Sequence, residues 1–461
     1  MAIVRREFIK TAGAVALGFA GLHRFLDGWQ SGDAFAATSG YGDLLPDPDG
    51  LLNLPKGFSY RIISQKGDEM NDGLLVPGLH DGMAAFQGKG NKTIVIRNHE
   101  LNIGAKDGPF GEDYSRFKKV DAQKVYDQTK KNIPCGGGTT TFVYDTKKQK
   151  LESHYMSLAG TVRNCAGGAT PWQSWISCEE SVVRVGDVAA RDHGYAFEVP
   201  AREKVGLVTP IPLKAMGRFN HEAIAVDPKS GVVYLTEDRG DGLLYRFIPK
   251  TPRKLAQGGR LQALVVRDQS RLDTRNWDDK LSIVPVGQSL DVDWVDLENV
   301  ESPDDDLRFQ GLGKGAAVFA RGEGIWYGNG TVYFACTNGG KKKKGQIWKY
   351  TPSLFEGKAK EKSQAGRLEL FCEPNDGKLI ENADNLTVAP WGDVVVCEDG
   401  KDDDRVVGIT PKGQIYTFAH NVKNGSELTG VVFSPDATTM FVNIQSLGYT
   451  FAITGPWQKK R

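Results

Sequence analysis

Asn220-His221-Glu222-Ala223-Ile224-Ala225-Val226-Asp227-Pro228 reads as a short apolar strand that stops at a turn. Lys229-Ser230-Gly231 separates it from Val232-Val233-Tyr234-Leu235-Thr236, a run of β-branched and aromatic residues ending in Glu237-Asp238-Arg239. Gly240-Asp241-Gly242 then leads into a third strand, Leu243 to Ile248, closed by Pro249. Connections this short allow only antiparallel pairing, because a parallel crossover needs a dozen or more residues.

The same order of parts recurs along the chain. Thr93-Ile94-Val95-Ile96-Arg97 ends in Asn98-His99-Glu100. After a turn at Pro171, Trp172-Gln173-Ser174-Trp175-Ile176-Ser177 ends in Cys178-Glu179-Glu180. Gly324 to Tyr327 and Thr331 to Cys336 flank a Gly-Asn-Gly turn, and the second strand ends in Thr337-Asn338. Asn385 to Pro390 and Asp393 to Cys397 flank Trp391-Gly392 and end in Glu398-Asp399. Thr429 to Phe433 and Met440 to Ile444 repeat the unit a last time. Units of strand, turn, strand, polar end and strand, at irregular intervals of roughly 45 to 100 residues, predict an all-β fold of the β-propeller type. Residues 37 to 57 read as an irregular lead-in, 101 to about 135 as a polar excursion, and 250 to 320 as an insertion.

In a propeller, equivalent strand ends gather around one axis. Glu100, Glu179, Glu237 and Glu398, far apart in sequence, are thereby expected at one mouth of the channel. Carboxylates brought together repel unless cations neutralise them, which predicts a metal site. Cys178 beside Glu179 adds a soft thiolate to hard oxygen ligands, a mixed donor set.

Lys and Arg number 58 against 57 Asp and Glu, so the surface carries no basic field for a nucleic acid. The 55 glycines and 10% aromatic residues agree with many short strands and turns. At the N-terminus, Arg5-Arg6-Glu7-Phe8-Ile9-Lys10 precedes an apolar run from Ala12 to Leu22 and a small-residue site, Ala34-Phe35-Ala36. Residues 1–36 read as a twin-arginine export signal and 37–461 as a single propeller domain, periplasmic or secreted, with no later segment apolar enough to span a bilayer. The six cysteines are open to two readings, disulfides of an exported protein or metal ligands. A Walker-type phosphate loop and a Gly-x-Ser-x-Gly elbow are both missing, which argues against nucleotide hydrolases and serine esterases.

Taken together, Arg97-Asn98-His99-Glu100, Asn164-Cys165-Ala166-Gly167-Gly168, Cys178-Glu179-Glu180, Asn220-His221-Glu222-Ala223, Glu237-Asp238-Arg239-Gly240-Asp241-Gly242, Arg321-Gly322-Glu323-Gly324 and Glu398-Asp399 resemble the PhoX-type alkaline phosphatases in order and spacing. The resemblance implies a six-bladed propeller that hydrolyses phosphate monoesters at a centre of two iron and several calcium ions. It implies Cys178 as the thiolate ligand to iron, with Glu323 and one of Glu222 or Glu237 as iron-side carboxylates. Glu179, Glu398, Asp399 and Asp238 would face calcium, with Glu100 at the same mouth, and Arg321 would face the phosphate. Arg321, Cys178 and Glu323 are the expected catalytic set. Two other readings stay open on the same scaffold: a calcium-dependent lactonase or phosphotriesterase, and a non-catalytic periplasmic propeller.

Overall fold

Hydrogen bonds gather the strands of the computed structural model, which describes residues 40–186, 188–278, 283–401 and 404–458, into five antiparallel sheets. The expected export signal lies outside the described residues. Six strands form the inner ring: His80–Gln87, Asn164–Ala169, His221–Val226, Gly322–Gly328, Ala383–Val388 and Leu428–Phe433. They neighbour one another in chain order, and the last packs against the first, so the ring closes. Each pairs with the strand that follows it: Lys92–His99, Ser174–Glu179, Val233–Glu237, Thr331–Cys336, Val394–Glu398 and Thr439–Ile444 respectively. This is the predicted all-β, propeller-like arrangement. One sheet has nine strands and carries two inner strands, because Ser289–Asp296 pairs on one side with Gly259–Val266 and on the other with Gly366–Cys372. Counting sheets therefore gives five, and counting inner strands gives six.

Two stretches expected to be irregular turn out to contain strands. Residues 250 to 320 supply Gly259–Val266, Ser289–Asp296 and a short helix, Leu307–Gly313. In the lead-in, Leu52–Pro55 pairs with Ile415–Asn421. Ser59–Gln65 pairs with Tyr449–Thr454, so the two ends of the described chain share one sheet and the ring is fastened by ladder hydrogen bonds.

The core lies between adjacent sheets. Val95, Phe142 and Tyr144 meet Val432, Phe441 and Ala452 in one such layer, and Ala335, Ile347, Leu386, Val396 and Val407 form another. Along the axis the inner strands come too close for most side chains. A Cβ at Gly168 would stand 1.9 Å from the Ile224 carbonyl oxygen, and one at Gly324 would stand 2.7 Å from that of Asp384. Trp326 packs against three of the apolar clusters, and the small residues Gly82, Ala166, Gly167, Ala223 and Gly324 line the space beside it. The axis is thus packed below the strand starts, and polar chemistry is confined to one end.

Candidate metal centre

The inner strands share a local irregularity that builds the site. Near its start each makes one pair, or two in the sixth, then slips and resumes three residues later: His80 with His99 then Met83 with Arg97, Asn164 with Glu179 then Gly167 with Ser177, His221 with Glu237 then Ile224 with Leu235. Gly322 with Cys336, Ala383 with Glu398, and Thr429 with Asn443 begin the same slip in the other three. Such β-bulges break the alternation of side chains and re-aim one of them. The residue just past the first pair is Asp81, Cys165, Glu222, Glu323 or Asp384, and Gly430 in the sixth strand. Five of six bulges therefore present an acid or a thiol at the axis.

These side chains meet. Ligand atoms of Cys165, Glu180 and Glu222 lie within 4.8 Å of one another, as do those of Glu222, Glu323 and Asp384, and those of Asp384, Asp399 and Glu427. Glu222 and Asp384 are shared, so the three groups form one continuous run. Gln445 Nε2 ties in two more acids, donating to Asp81 Oδ2 at 3.2 Å and Glu100 Oε2 at 3.1 Å. Glu427 supplies the carboxylate that the sixth bulge lacks. At Gly430, where φ is +66°, a Cβ would stand 2.6 Å from the Asp81 carbonyl oxygen.

Among the described residues, two cations face this array. The Arg163 guanidinium lies 2.6 Å from Glu100 Oε1, donates from Nη2 to Glu180 and from Nε to the Glu180 carbonyl oxygen at 3.0 Å. Arg321 donates from Nε and Nη2 to the two carboxylate oxygens of Asp238 at 2.7 and 2.9 Å, and its Nη2 lies 2.8 Å from Glu323 Oε1. Both arginines immediately precede a bulge and hold left-handed backbone, with φ of 47° and 52°. Two guanidiniums cannot balance the carboxylates of Asp81, Glu100, Glu180, Glu222, Asp238, Glu323, Asp384, Asp399 and Glu427. Burial, then mutual repulsion, drives Glu222 and Glu323 well above the ordinary carboxylate range, and Asp81 and Glu427 follow for the same reasons. Burial pushes Glu180 up to about 8 and Asp384 up to about 7, with neighbouring acids adding to each. Burial also raises the Cys165 thiol, beside Glu222 and Glu180.

The expected site residues divide by strand parity. Glu222, Glu323, Asp399, Asp238, Glu100 and Arg321 stand at the axis. Glu179, Glu237 and Glu398 each sit one residue earlier on the second strand, paired with the first residue of the bulge, and point the other way. Glu179 accepts from the backbone N–H groups of Val162 and Gly194 and contacts His193 Nδ1 at 2.6 Å. Glu237 accepts from Tyr245 Oη at 2.7 Å, and Glu398 takes Arg405 Nε at 2.7 Å and Nη2 at 2.9 Å. Their successors, Glu180, Asp238 and Asp399, are the residues that reach the axis. Cys178, on the same face as Glu180 but two residues short of it, is fully buried in an apolar cluster with Ile176, Ala196, Leu213 and Met216. The thiol that meets Glu180 and Glu222 belongs to Cys165, in the quoted run Asn164-Cys165-Ala166. Asp81, Asp384 and Glu427 were missed because they lie at strand starts, where acids are common. All six cysteines are free and buried, which answers the disulfide question for this structure.

As a donor set, a thiol with crowded carboxylates that lack enough counter-charge fits a centre of several cations. The oxygen-rich groups suit calcium, and the thiol with Glu180 and Glu222 suits iron.

Known proteins resemble this chain in sequence and in fold. The sequence model of a family described as "Alkaline phosphatase PhoX" matches residues 39–152 and 145–448. The solved structure "Pseudomonas fluorescens PhoX in complex with vanadate, a transition state analogue" is similar over 92% of this chain and 98% of its own, at 17% identity and a TM-score of 0.66. A gluconolactonase from Xanthomonas campestris, XC5397, covers 90% of this chain and 98% of its own at 12% identity, with a TM-score of only 0.40. No curated protein sequence matches the chain.

Proposed function

The chain belongs to the PhoX family of alkaline phosphatases, and from that premise we propose that it hydrolyses phosphate monoesters at the acidic mouth of its ring, using iron and calcium ions held there. The observation that carries the reading is the continuous run of crowded acids, buried at Glu222 and Glu323 and opening to solvent at Asp399, with one thiol, out of proportion to its two guanidiniums. Cys165, Glu180, Glu222 and Glu323 would hold the softer-ligand ions, two in number by the resemblance. Asp81, Glu100, Asp384, Asp399 and Glu427 would hold calcium. Bound cations supply positive charge that polarises a phosphoryl oxygen and eases deprotonation of an attacking water.

The chain's own residues do the rest. Asp238 and Glu323 hold the Arg321 guanidinium in a fixed plane, and its side chain keeps 37% of its surface exposed. With Nε and Nη2 engaged by the two acids, the Nη1 amino group is left to donate to a phosphate ester and to offset charge that grows during transfer. Arg163, locked to Glu100 and Glu180, fixes the opposite wall. The packed axis around Trp326 closes the site from below, so substrate and phosphate pass through the same mouth. Export through the twin-arginine route, to the periplasm or beyond, completes the reading, and phosphate esters and the export machinery are the partners it requires. No helix among the described residues is long and apolar enough to cross a membrane.

The test uses the full chain purified after export. Hydrolysis of a simple aryl phosphate should accompany bound iron and calcium, and Glu222→Gln should remove both metal and activity. An active enzyme without bound metal, or a Glu222→Gln variant with unchanged metal content and rate, would refute the reading.

A further inference from the structure

Outside the central run, a second set of metal-type ligands is fully buried. Asp127 and Cys135 come from the polar excursion and His193 from the segment that follows Glu180; His193 and Cys135 are 0% exposed and Asp127 is 1% exposed. Their ligand atoms lie within 4.8 Å of one another. His193 Nε2 stands 3.2 Å from Asp127 Oδ2, and the Cys135 thiol adjoins the same imidazole. A carboxylate and a thiol thus lie beside one buried imidazole.

The surroundings are arranged as they are around a bound ion. Glu179 Oε1 takes the other ring nitrogen, Nδ1, at 2.6 Å, which fixes the tautomer that leaves Nε2 as the ligand. Glu179 is itself fixed by the backbone N–H groups of Val162, Gly194 and Tyr195. Asp127 is aimed by Ala190 N–H at 2.9 Å and Arg191 N–H at 3.1 Å on Oδ2, and by Thr129 N–H on Oδ1. Cys135 N–H donates to the Asp127 carbonyl oxygen at 3.0 Å, closing the loop that carries both ligands. The carboxylate–imidazole pair is the pattern that orients metal-bound histidines, and thiolate with imidazole and carboxylate is a donor set that suits zinc.

We propose that Asp127, Cys135 and His193 form a structural zinc site, separate from the central cluster, with Glu179 orienting the histidine. It would clamp the polar excursion to the segment after Glu180. Glu180 is one residue from Glu179, so the clamp also anchors a ligand of the central run.

The experiment is elemental analysis and zinc-edge X-ray absorption of the full chain, expressed with zinc, in a Cys165→Ser background that removes the central thiol. One equivalent of zinc with a single sulphur neighbour at about 2.3 Å is expected. Cys135→Ser in the same background should remove that sulphur neighbour, and His193→Gln in it should remove the zinc equivalent. Zinc with no sulphur neighbour, zinc content unchanged by both substitutions, or no zinc in the Cys165→Ser chain would each overturn the proposal. The first and last outcomes are read on the folded Cys165→Ser protein itself and do not depend on whether a further substitution folds.

Discussion

Removing the metal ions should invert the usual pH dependence of stability. Asp384 has an ordinary carboxyl pKa of 3.8, raised to about 7 by burial and by Asp399. A carboxyl raised in the folded state keeps its proton after the unfolded chain has lost it. Ion-free stability is therefore highest near the unfolded pKa and falls as pH rises toward the folded value. Roughly three pK units correspond to about 4 kcal/mol, an upper limit because the side chain retains some solvent contact. At about 2.1 cal/mol/K per residue, a chain of 461 residues has an unfolding entropy near 1 kcal/mol/K, so this one group lowers Tm by about 4 °C. Glu180, raised to about 8, acts in the same direction, and so do Glu222, Glu323, Asp81 and Glu427. These acids titrate together, so their sum is less than additive; a combined drop on the order of 10 °C between pH 5 and pH 9 is expected. Calorimetry of the chelator-treated chain across that range, with and without added calcium, is the assay. Calcium should restore little at pH 5 and much at pH 9, since it replaces protons that the acids hold only at low pH. A chelated chain whose Tm is level or rises from pH 5 to pH 9 would show that these acids do not share one uncompensated site.

Cys165→Ala should abolish iron retention and phosphatase activity, whereas Cys178→Ala should keep both and lose only about 1 to 2 kcal/mol of apolar packing; equal metal loss in the two would undo the assignment of the thiol. Glu179→Ala should destabilise the fold by about 3 to 5 kcal/mol, because it leaves a buried imidazole without its partner, which thermal melts will read. Glu180→Gln should do the reverse, raising the Tm of the chelated chain while weakening metal retention; parallel effects at the two positions would contradict the parity argument. Arg321→Lys should keep metal content and lower kcat/KM for an aryl phosphate about 100-fold, since a lysine ammonium cannot hold Asp238 and Glu323 and still present a further N–H donor in a fixed plane. A rate within twofold of the parent would remove Arg321 from the substrate's path.

The fold was legible because its signal is repeated. Strand pairs with tight turns, such as Asn385 to Cys397, announce antiparallel blades without any long-range information. The gap at 250 to 320 was not legible, since Gly259–Val266 and Ser289–Asp296 pair at the outer edge and lack the turn chemistry of a hairpin. At the site, the recurrence of acids at strand ends correctly pointed to convergent charge, but not to which of two adjacent residues delivers it. In Glu179-Glu180, Glu237-Asp238 and Glu398-Asp399 both members are acids, so composition cannot break the tie. The register can, because the first member of each pair faces the inner strand's opening residue and the second lies past it. The thiol was misassigned for a different reason: Cys178 shares the face of Glu180 but stops two residues short, in the apolar layer with Ile176 and Ala196, whereas Cys165 follows the opening pair of a bulge and meets Glu180 and Glu222.

Those bulges also explain a cost that the sequence conceals. Leu79, Arg163, Arg321 and Asn382 precede four of the six slips, and all hold positive φ, from 42° to 53°. A left-handed non-glycine residue costs roughly 1 kcal/mol or more, and glycine would relieve it. Glycine does occupy many other turns in this chain, so its absence here has to be explained by what the side chains do. At Arg163 and Arg321 the answer is direct, since the strained backbone throws each guanidinium across the cluster to bind two acids at once. At Asn382 the side chain donates to the Thr337 carbonyl oxygen at 2.9 Å, tying one strand start to the neighbouring unit. Strain at the strand starts is thus coupled to the placement of the two cations that face the acids among the described residues. The ring supplies convergence, the bulges supply aim, and the left-handed residues supply the counter-charge that the fold can provide without metal.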